Sequence, residues 1–125
     1  MTQILRYGVQ KRWSDVVCHG GVAYFVEVPE NPNLPPPGQF MQVLQQTAQT
    51  LISVGSSPSR MLQVMVYLPF PEDLEEFNRQ WDAWVPEGHA PSRACVHAQL
   101  AAPEYRVELV ITAALKRDPS DSAIL

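Results

Sequence analysis

Several kinds of residue are scarce in this chain, and each scarcity removes a class of function. Cysteine occurs twice, at Cys18 and Cys95, too few for a disulfide scaffold. With no apolar leader in "MTQILRYGVQKRW", the pair points to a reducing compartment and a cytoplasmic protein. The three histidines, His19, His89 and His97, combine with the cysteines into no Cys-x-x-Cys or His-x-x-x-His spacing, so no metal is expected. No glycine-rich phosphate loop is present, and no cofactor is expected. Apolar runs fall well short of the ~20 residues that a membrane helix needs. Lys and Arg number 9 against 13 Asp and Glu, for a net charge of −4. A phosphate-backbone binder carries a basic footprint, so neither nucleic acid nor membrane is expected as a partner. There is no internal repeat.

What remains is a chain of 125 residues, 46% hydrophobic and 18% charged, long enough for one real core. Residues 1–115 read as a single domain, and 116–125, "KRDPSDSAIL", as a loose C-terminal tail. The 12 prolines cluster, with five of them in "PENPNLPPPG" (29–38), which must be a loop. "VVCHGGVAYFVEV" (16–28) predicts two strands around a Gly20-Gly21 turn. In the second strand Val22, Tyr24, Val26 and Val28 share one face, and Ala23, Phe25 and Glu27 the other. "GQFMQVLQQTAQTLISVG" (38–55) predicts a helix, with Phe40, Val43, Leu44, Thr47, Ala48, Leu51 and Ile52 at three- and four-residue steps and Gly55 as its stop. "RMLQVMVYL" (60–68) predicts a strand with Leu62, Val64, Val66 and Leu68 toward the core. "PEDLEEFNRQWDAWV" (71–85) predicts a second helix that begins on Pro71 with acidic residues in its first turn. Its inner stripe is Leu74, Phe77, Trp81 and Trp84, with Asn78 on the edge. "SRACVHAQL" and "YRVELVITAAL" read as two strands joined by "AAPE". The order is β-β-α-β-α-β-β, with room for a further strand at 3–7.

Two helices cover only one face of so wide a sheet. The expected architecture is an α/β (α+β) two-layer sandwich, a mixed sheet with both helices on one side. The other face would carry Phe25, Met65, Tyr67, Cys95, Val110 and Thr112 among polar groups. An apolar patch with a polar rim marks an interface, so copies of the chain are expected to close that face against one another and leave pockets between them.

Alternation within "HAPSRACVHAQL" (89–100) puts Arg93, Cys95, His97 and Gln99 on one face. Matching its apolar face to Val107, Leu109, Ile111 and Ala113 puts Arg106, Glu108, Val110 and Thr112 beside them. A tight connection then sets Glu108 opposite Cys95 or His97, roughly 7–13 Å along the strand from Arg93. A guanidinium grips a carboxylate bidentately, and a carboxylate polarises water as general base or acid. The same two residues also read as a plain Arg93–Glu108 salt bridge. Cys95 lacks an orienting base beyond His97 and reads as a small buried group rather than a nucleophile.

"HAPSRACVHAQL…PEYRVELVITAA" resembles the C-terminal signature of the Rid family of reactive intermediate deaminases, also called YjgF: a Pro-x-Arg-x-Cys strand followed by a Val-Glu pair in the last strand. "FNRQWDAWV" resembles the family's helix, "RWSDVV…HGG" its N-terminal hairpin, and "VPEN" with "WDAWVPEGHAP" its YoaB-like branch. The likeness spans roughly residues 12–115. It implies a homotrimer of chorismate-mutase-like subunits with active sites in the clefts between them. It also implies hydrolysis of 2-imino acids and their enamine tautomers to 2-oxo acids and ammonia. Arg93 matches the arginine that binds the substrate carboxylate, and Glu108 the glutamate that positions water. Cys95 matches a pocket-lining strand residue, and Asn78 a helix asparagine near the site. Trp13 falls where many members carry a tyrosine from the neighbouring subunit. One departure stands out: Val26-Glu27 occupies a place where many members have Ser-Gly. Glu27, sharing a face with Phe25, would bring negative charge to the cleft mouth and disfavour anionic acids.

The expectation is a cofactor-free deaminase in which Arg93 and Glu108 are catalytic and Arg93, Cys95, Asn78, Trp13 and Phe25 bind substrate. The rival is a regulator that binds a small carboxylate in the same cleft without turning it over. RNA cleavage or translation inhibition, ascribed to some relatives, fits poorly with an acidic chain.

Overall fold

The computed structural model describes residues 3–117. The expected tail at 116–125 lies outside the described residues except for Lys116 and Arg117. Lys116 donates its backbone N–H to the Gly55 carbonyl at 2.9 Å.

Six strands, β1 (Leu5–Val9), β2 (Ser14–His19), β3 (Val22–Glu27), β4 (Met61–Tyr67), β5 (Ser92–Val96) and β6 (Glu108–Ala114), form one sheet in the order β1-β2-β3-β6-β4-β5. Only the β4–β5 pair is parallel, so the sheet is mixed as expected. β1 lies close to the further strand allowed at 3–7. The β2–β3 hairpin turns at Gly20 (φ 61°) and Gly21 (φ 79°). Two consecutive left-handed residues match the twist of a tight hairpin, and glycine adopts them without a Cβ penalty. Two helices, α1 (Pro36–Ser53) and α2 (Leu74–Trp84), pack on one face. α2 is preceded by a single 3₁₀ turn at Pro71–Asp73.

The core is the layer between helices and sheet. α1 buries Phe40, Val43, Leu44 and Leu51, and α2 buries Phe77 and Trp81. They meet Ala23, Phe25, Val64, Val66, Leu109, Ile111 and Ala113 from the strands. The ring of Phe40 meets that of Phe77 edge to face, with centroids 5.5 Å apart, a favoured quadrupole geometry.

The face assignments of Leu62, Phe25, Arg93 and Cys95 need correction. Leu62 is not a core residue. A bulge shifts the β4–β6 register between Met61 and Gln63, so Met61 turns inward and Leu62 outward. The extra residue of a bulge breaks strict alternation. Phe25 is not on the bare face: it pairs with Val16 and Ile111 and lies buried in the core. Cys95 is not on the bare face either, because β5 runs parallel to β4 with Arg93 beside Val64 and Cys95 beside Val66. In-register neighbours point the same way, so Arg93 and Cys95 face the helices while Ala94 and Val96 face outward.

The last two strands are also not neighbours. β4 lies between β5 and β6. Residues 97–107, expected to extend both strands, are irregular and carry the chain across from one to the other. The bare face is the row Val26–Val110–Met65–Ala94, flanked by Tyr24, Thr112 and Gln63 on one side and by Glu108, Tyr67 and Val96 on the other.

Candidate functional site: two half-sites

The sequence-derived candidates fall into two groups. The first is built on α2 and β5. Arg93 donates from Nη2 to Asn78 Oδ1 at 2.8 Å, and its guanidinium lies over the Trp81 ring, 5.2 Å from the centroid. Asn78 and Trp81 are three residues apart on α2, so both reach one point on the sheet edge. The Arg93 Nη1 is buried and has no hydrogen-bond acceptor among the described residues. A buried guanidinium nitrogen without an acceptor is costly, and it indicates a place where an anion would be stabilised. Cys95 lies two residues further along the same face, half-buried. Burial pushes its thiol pKa up, with the Arg93 charge opposing. His97 leaves the strand, and its Nδ1 meets the Leu68 carbonyl at 3.1 Å.

The second group lines a cavity of about 890 Å³ at the end of β3. Pairing of β2 with β3 stops at Val16–Phe25. Beyond that point the strands diverge, and side chains from both faces of the sheet reach the gap. Trp13, Asp15, Val26, Glu27, Tyr105 and Glu108 line it. Trp13 is 62% exposed, so its indole forms an open wall. Glu108 comes from the bare face, opposite Tyr67 on β4. Glu27 comes from the helix side. Its Oε1 accepts from Thr50 Oγ1 at 2.6 Å, and its Oε2 accepts from Gln46 Nε2 at 3.1 Å.

Arg93 and Glu108 therefore do not share a face or neighbouring strands, and the expectation that their heads meet within one protomer is overturned. Nor do they form a salt bridge: the ion pairs among the described residues are Arg79–Glu76 and Arg106–Asp73. Arg106, expected beside Glu108, instead donates to Asp73 at 2.8 Å and covers the Phe70 ring. Arg93, Asn78 and Cys95 come together, Trp13 and Glu108 come together, and Phe25 joins neither group. The sequence reading missed Tyr105 and the Trp81 platform under Arg93. The Asn78–Trp81 spacing signals the latter; Tyr105 carries no such signal, because it begins the alternating run "YRVELVITAAL" yet lies in the irregular connection before β6.

Two buried residues hold the chain that leads into Glu108. Gln39 Nε2 donates to the carbonyls of Pro32, Leu34 and Glu104. Its Oε1 accepts from the Arg106 N–H, two residues before Glu108. Asp73 anchors Arg106 from the start of α2. No group of three or more metal-ligating side chains occurs among the described residues. No helix among them is long and apolar enough to cross a membrane.

The endoribonuclease L-PSP family profile matches residues 4–115. The RutC family protein YoaB of Escherichia coli is 40% identical over 112 residues, covering 90% of this chain and 98% of YoaB. A RutC family protein of Haemophilus ducreyi is 41% identical over 113 residues, covering 90% of this chain and 97% of its own length. A crystal structure of a YjgF-family protein from Neisseria meningitidis superposes with a TM-score of 0.87 at 39% identity, covering 92% of this chain and 97% of that one. The chain belongs to this family, known as Rid, RutC or YjgF, and stands beside YoaB within it.

Proposed function

We propose that the protein is a cytoplasmic, cofactor-free deaminase that hydrolyses 2-imino acids, and the enamines tautomeric with them, to 2-oxo acids and ammonia. The observation that carries this reading is the division of the site. One half has a fixed guanidinium with an unsatisfied donor, and the other has a carboxylate at a roomy, aromatic-walled cavity. Neither half suffices alone, and each lies where a neighbouring copy can complete it. Arg93 and Cys95 sit on β5, an edge strand of the sheet. Glu108 opens onto the uncovered face, where Tyr24, Val26 and Val96 are 47%, 54% and 39% exposed. In a homotrimer of chorismate-mutase-like subunits, the bare faces are buried together, and Arg93 of one protomer meets Glu108 and Trp13 of the next.

In such a cleft Arg93, steadied by Asn78 and Trp81, binds the substrate carboxylate through its free nitrogen after a small rotation. Glu108 accepts a proton from water as the water oxygen bonds to the imine carbon. That proton is passed on to nitrogen, giving a carbinolamine; its hydroxyl proton then moves to the same nitrogen through Glu108, the carbon–nitrogen bond breaks, and ammonia leaves as the carbonyl forms. One water is consumed, and no electrons are gained or lost. Cys95 contributes backbone and bulk rather than a nucleophile. A phosphodiester substrate is disfavoured, since Asp15, Glu27 and Glu108 bring three carboxylates to the cleft against the single cation of Arg93.

The test is 2-oxo acid release from iminopropanoate generated in situ. Wild type is expected to accelerate it, and Arg93→Ala to abolish the acceleration; full activity in Arg93→Ala would overturn the anchoring role. The rival regulator is favoured by Val26-Glu27, which fills space at the cavity wall. Calorimetric binding of 2-oxobutanoate without any turnover would decide for it.

A further inference from the structure

Glu27 is a cavity carboxylate that the hydrolysis itself does not use, and unlike Asp15 it is pinned by two side-chain hydrogen bonds from a helix. Its carboxylate is held between Gln46 and Thr50 of α1. The Gln46 amide is itself fixed, because its Nε2 also donates to the Val28 carbonyl at 2.8 Å and its Oε1 accepts from the Glu30 N–H at 2.7 Å. The carboxylate thus has a set position, and the two side-chain bonds leave roughly half of its four acceptor sites free. It faces the same cavity as Glu108 and the Trp13 indole, where the described residues of its own chain supply no cationic side chain to neutralise it.

We propose that Glu27 sets the substrate class: the cavity takes 2-imino acids whose side chains carry a cation or hydrogen-bond donor, and it turns away those with a second carboxylate. This inference rests on the deaminase reading above, and it assigns the side-chain end of the substrate where that reading assigns the reacting end. With Arg93 of a neighbouring protomer at the substrate's own carboxylate, the opposite wall holds Glu27 and Trp13, with Asp15 adding charge of the same sign. An ammonium or guanidinium is attracted by the carboxylate and can lie against the indole face. A second carboxylate meets like charge in a partly desolvated cavity, and electrostatic selection of this kind works through rejection as much as attraction.

The decisive variant is Glu27→Gln. It removes the charge while keeping the scaffold, since the Thr50 hydroxyl can turn to accept from the new amide while Gln46 still donates to the amide oxygen. Imines generated in situ from arginine, from glutamate and from a neutral aliphatic amino acid are the three substrates. The expected result is a shift in the arginine-to-glutamate ratio of kcat/KM by about tenfold or more toward the acidic imine, with the neutral substrate little changed. An unaltered ratio overturns the assignment. Calorimetry with the three matching 2-oxo acids separates this inference from the catalytic one. A charge preference in binding that Glu27→Gln abolishes sustains Glu27 even without turnover. Equal binding of all three by wild type overturns it, and binding of none overturns both readings.

Discussion

Arg93 shows how much the surroundings of one side chain decide. Its strand neighbours on β4, Val64 and Val66, are fully buried, and a charge pointed the same way needs partners. Asn78 supplies an acceptor and Trp81 a π face, leaving one nitrogen over. A lysine cannot serve here, because its single ammonium cannot stack flat on the indole while bonding Asn78 and a ligand in one plane. Cys95, on the same face, titrates according to its burial. A pKa raised by desolvation means less thiolate at any given pH than a free thiol carries. Alkylation of Cys95 by iodoacetamide at neutral pH is therefore expected to run several-fold slower than that of free cysteine. Its rate should rise at a higher pH than the free thiol's. Mass spectrometry of the Cys95 peptide over a pH series reads both; a rate matching or exceeding that of free cysteine would restore the thiol as a candidate nucleophile.

At the scale of elements, the site depends on a loop that has no regular structure of its own. Residues 97–107 connect β5 to β6 and deliver Tyr105 and Glu108 to the cavity. Their backbone is held by the buried Gln39, whose side chain bonds one N–H and three carbonyls across two loops. Gln39→Leu keeps the volume and strands those partners. A loss of about 2–4 kcal/mol is expected, from orphaned backbone groups at roughly 1 kcal/mol or more each. Urea unfolding measures it, and a loss below about 0.5 kcal/mol would show that the groups find water instead. This organisation also explains what was legible in advance. Helix periodicity gave α1 and α2 to within two or three residues, because a stripe such as Phe40, Val43, Leu44, Thr47 and Leu51 has one interpretation. The Gly20-Gly21 turn was equally plain. The faces of β5 were not, since Ser-Arg-Ala-Cys-Val offers small or ambiguous groups on both sides. An arginine paired with a helix asparagine is a contact that alternation alone does not foresee. The assumed β5–β6 hairpin failed for a related reason: "AAPE" looks like a short turn, while the pairing is set by β4, whose apolar Val64 and Val66 fill the central position. Arg93 and Glu108 stand out in the sequence as candidates, but alternation does not give their mutual placement.

At the scale of the whole molecule, the separation of the half-sites makes a prediction that a self-contained site would not. On the proposed function, Arg93→Ala and Glu108→Gln are each expected to disable one half of the site. If every site joins Arg93 of one protomer to Glu108 of the next, mixing the two inactive variants during refolding creates some sites with both groups intact. In randomly assembled trimers at equal input, each interface takes its arginine and its glutamate from independent chains, so about a quarter of the sites are whole. Recovered activity near that fraction of wild type is expected, together with a sedimentation mass of three chains, and neither variant alone should reach it. Mixing after folding, with no exchange of subunits, should recover nothing. Were both residues to act within one chain, no mixture would contain an intact site, and the co-refolded sample would stay as inactive as its parents. Because the readout is a gain of activity from two inactive inputs, misfolding of a variant cannot imitate it.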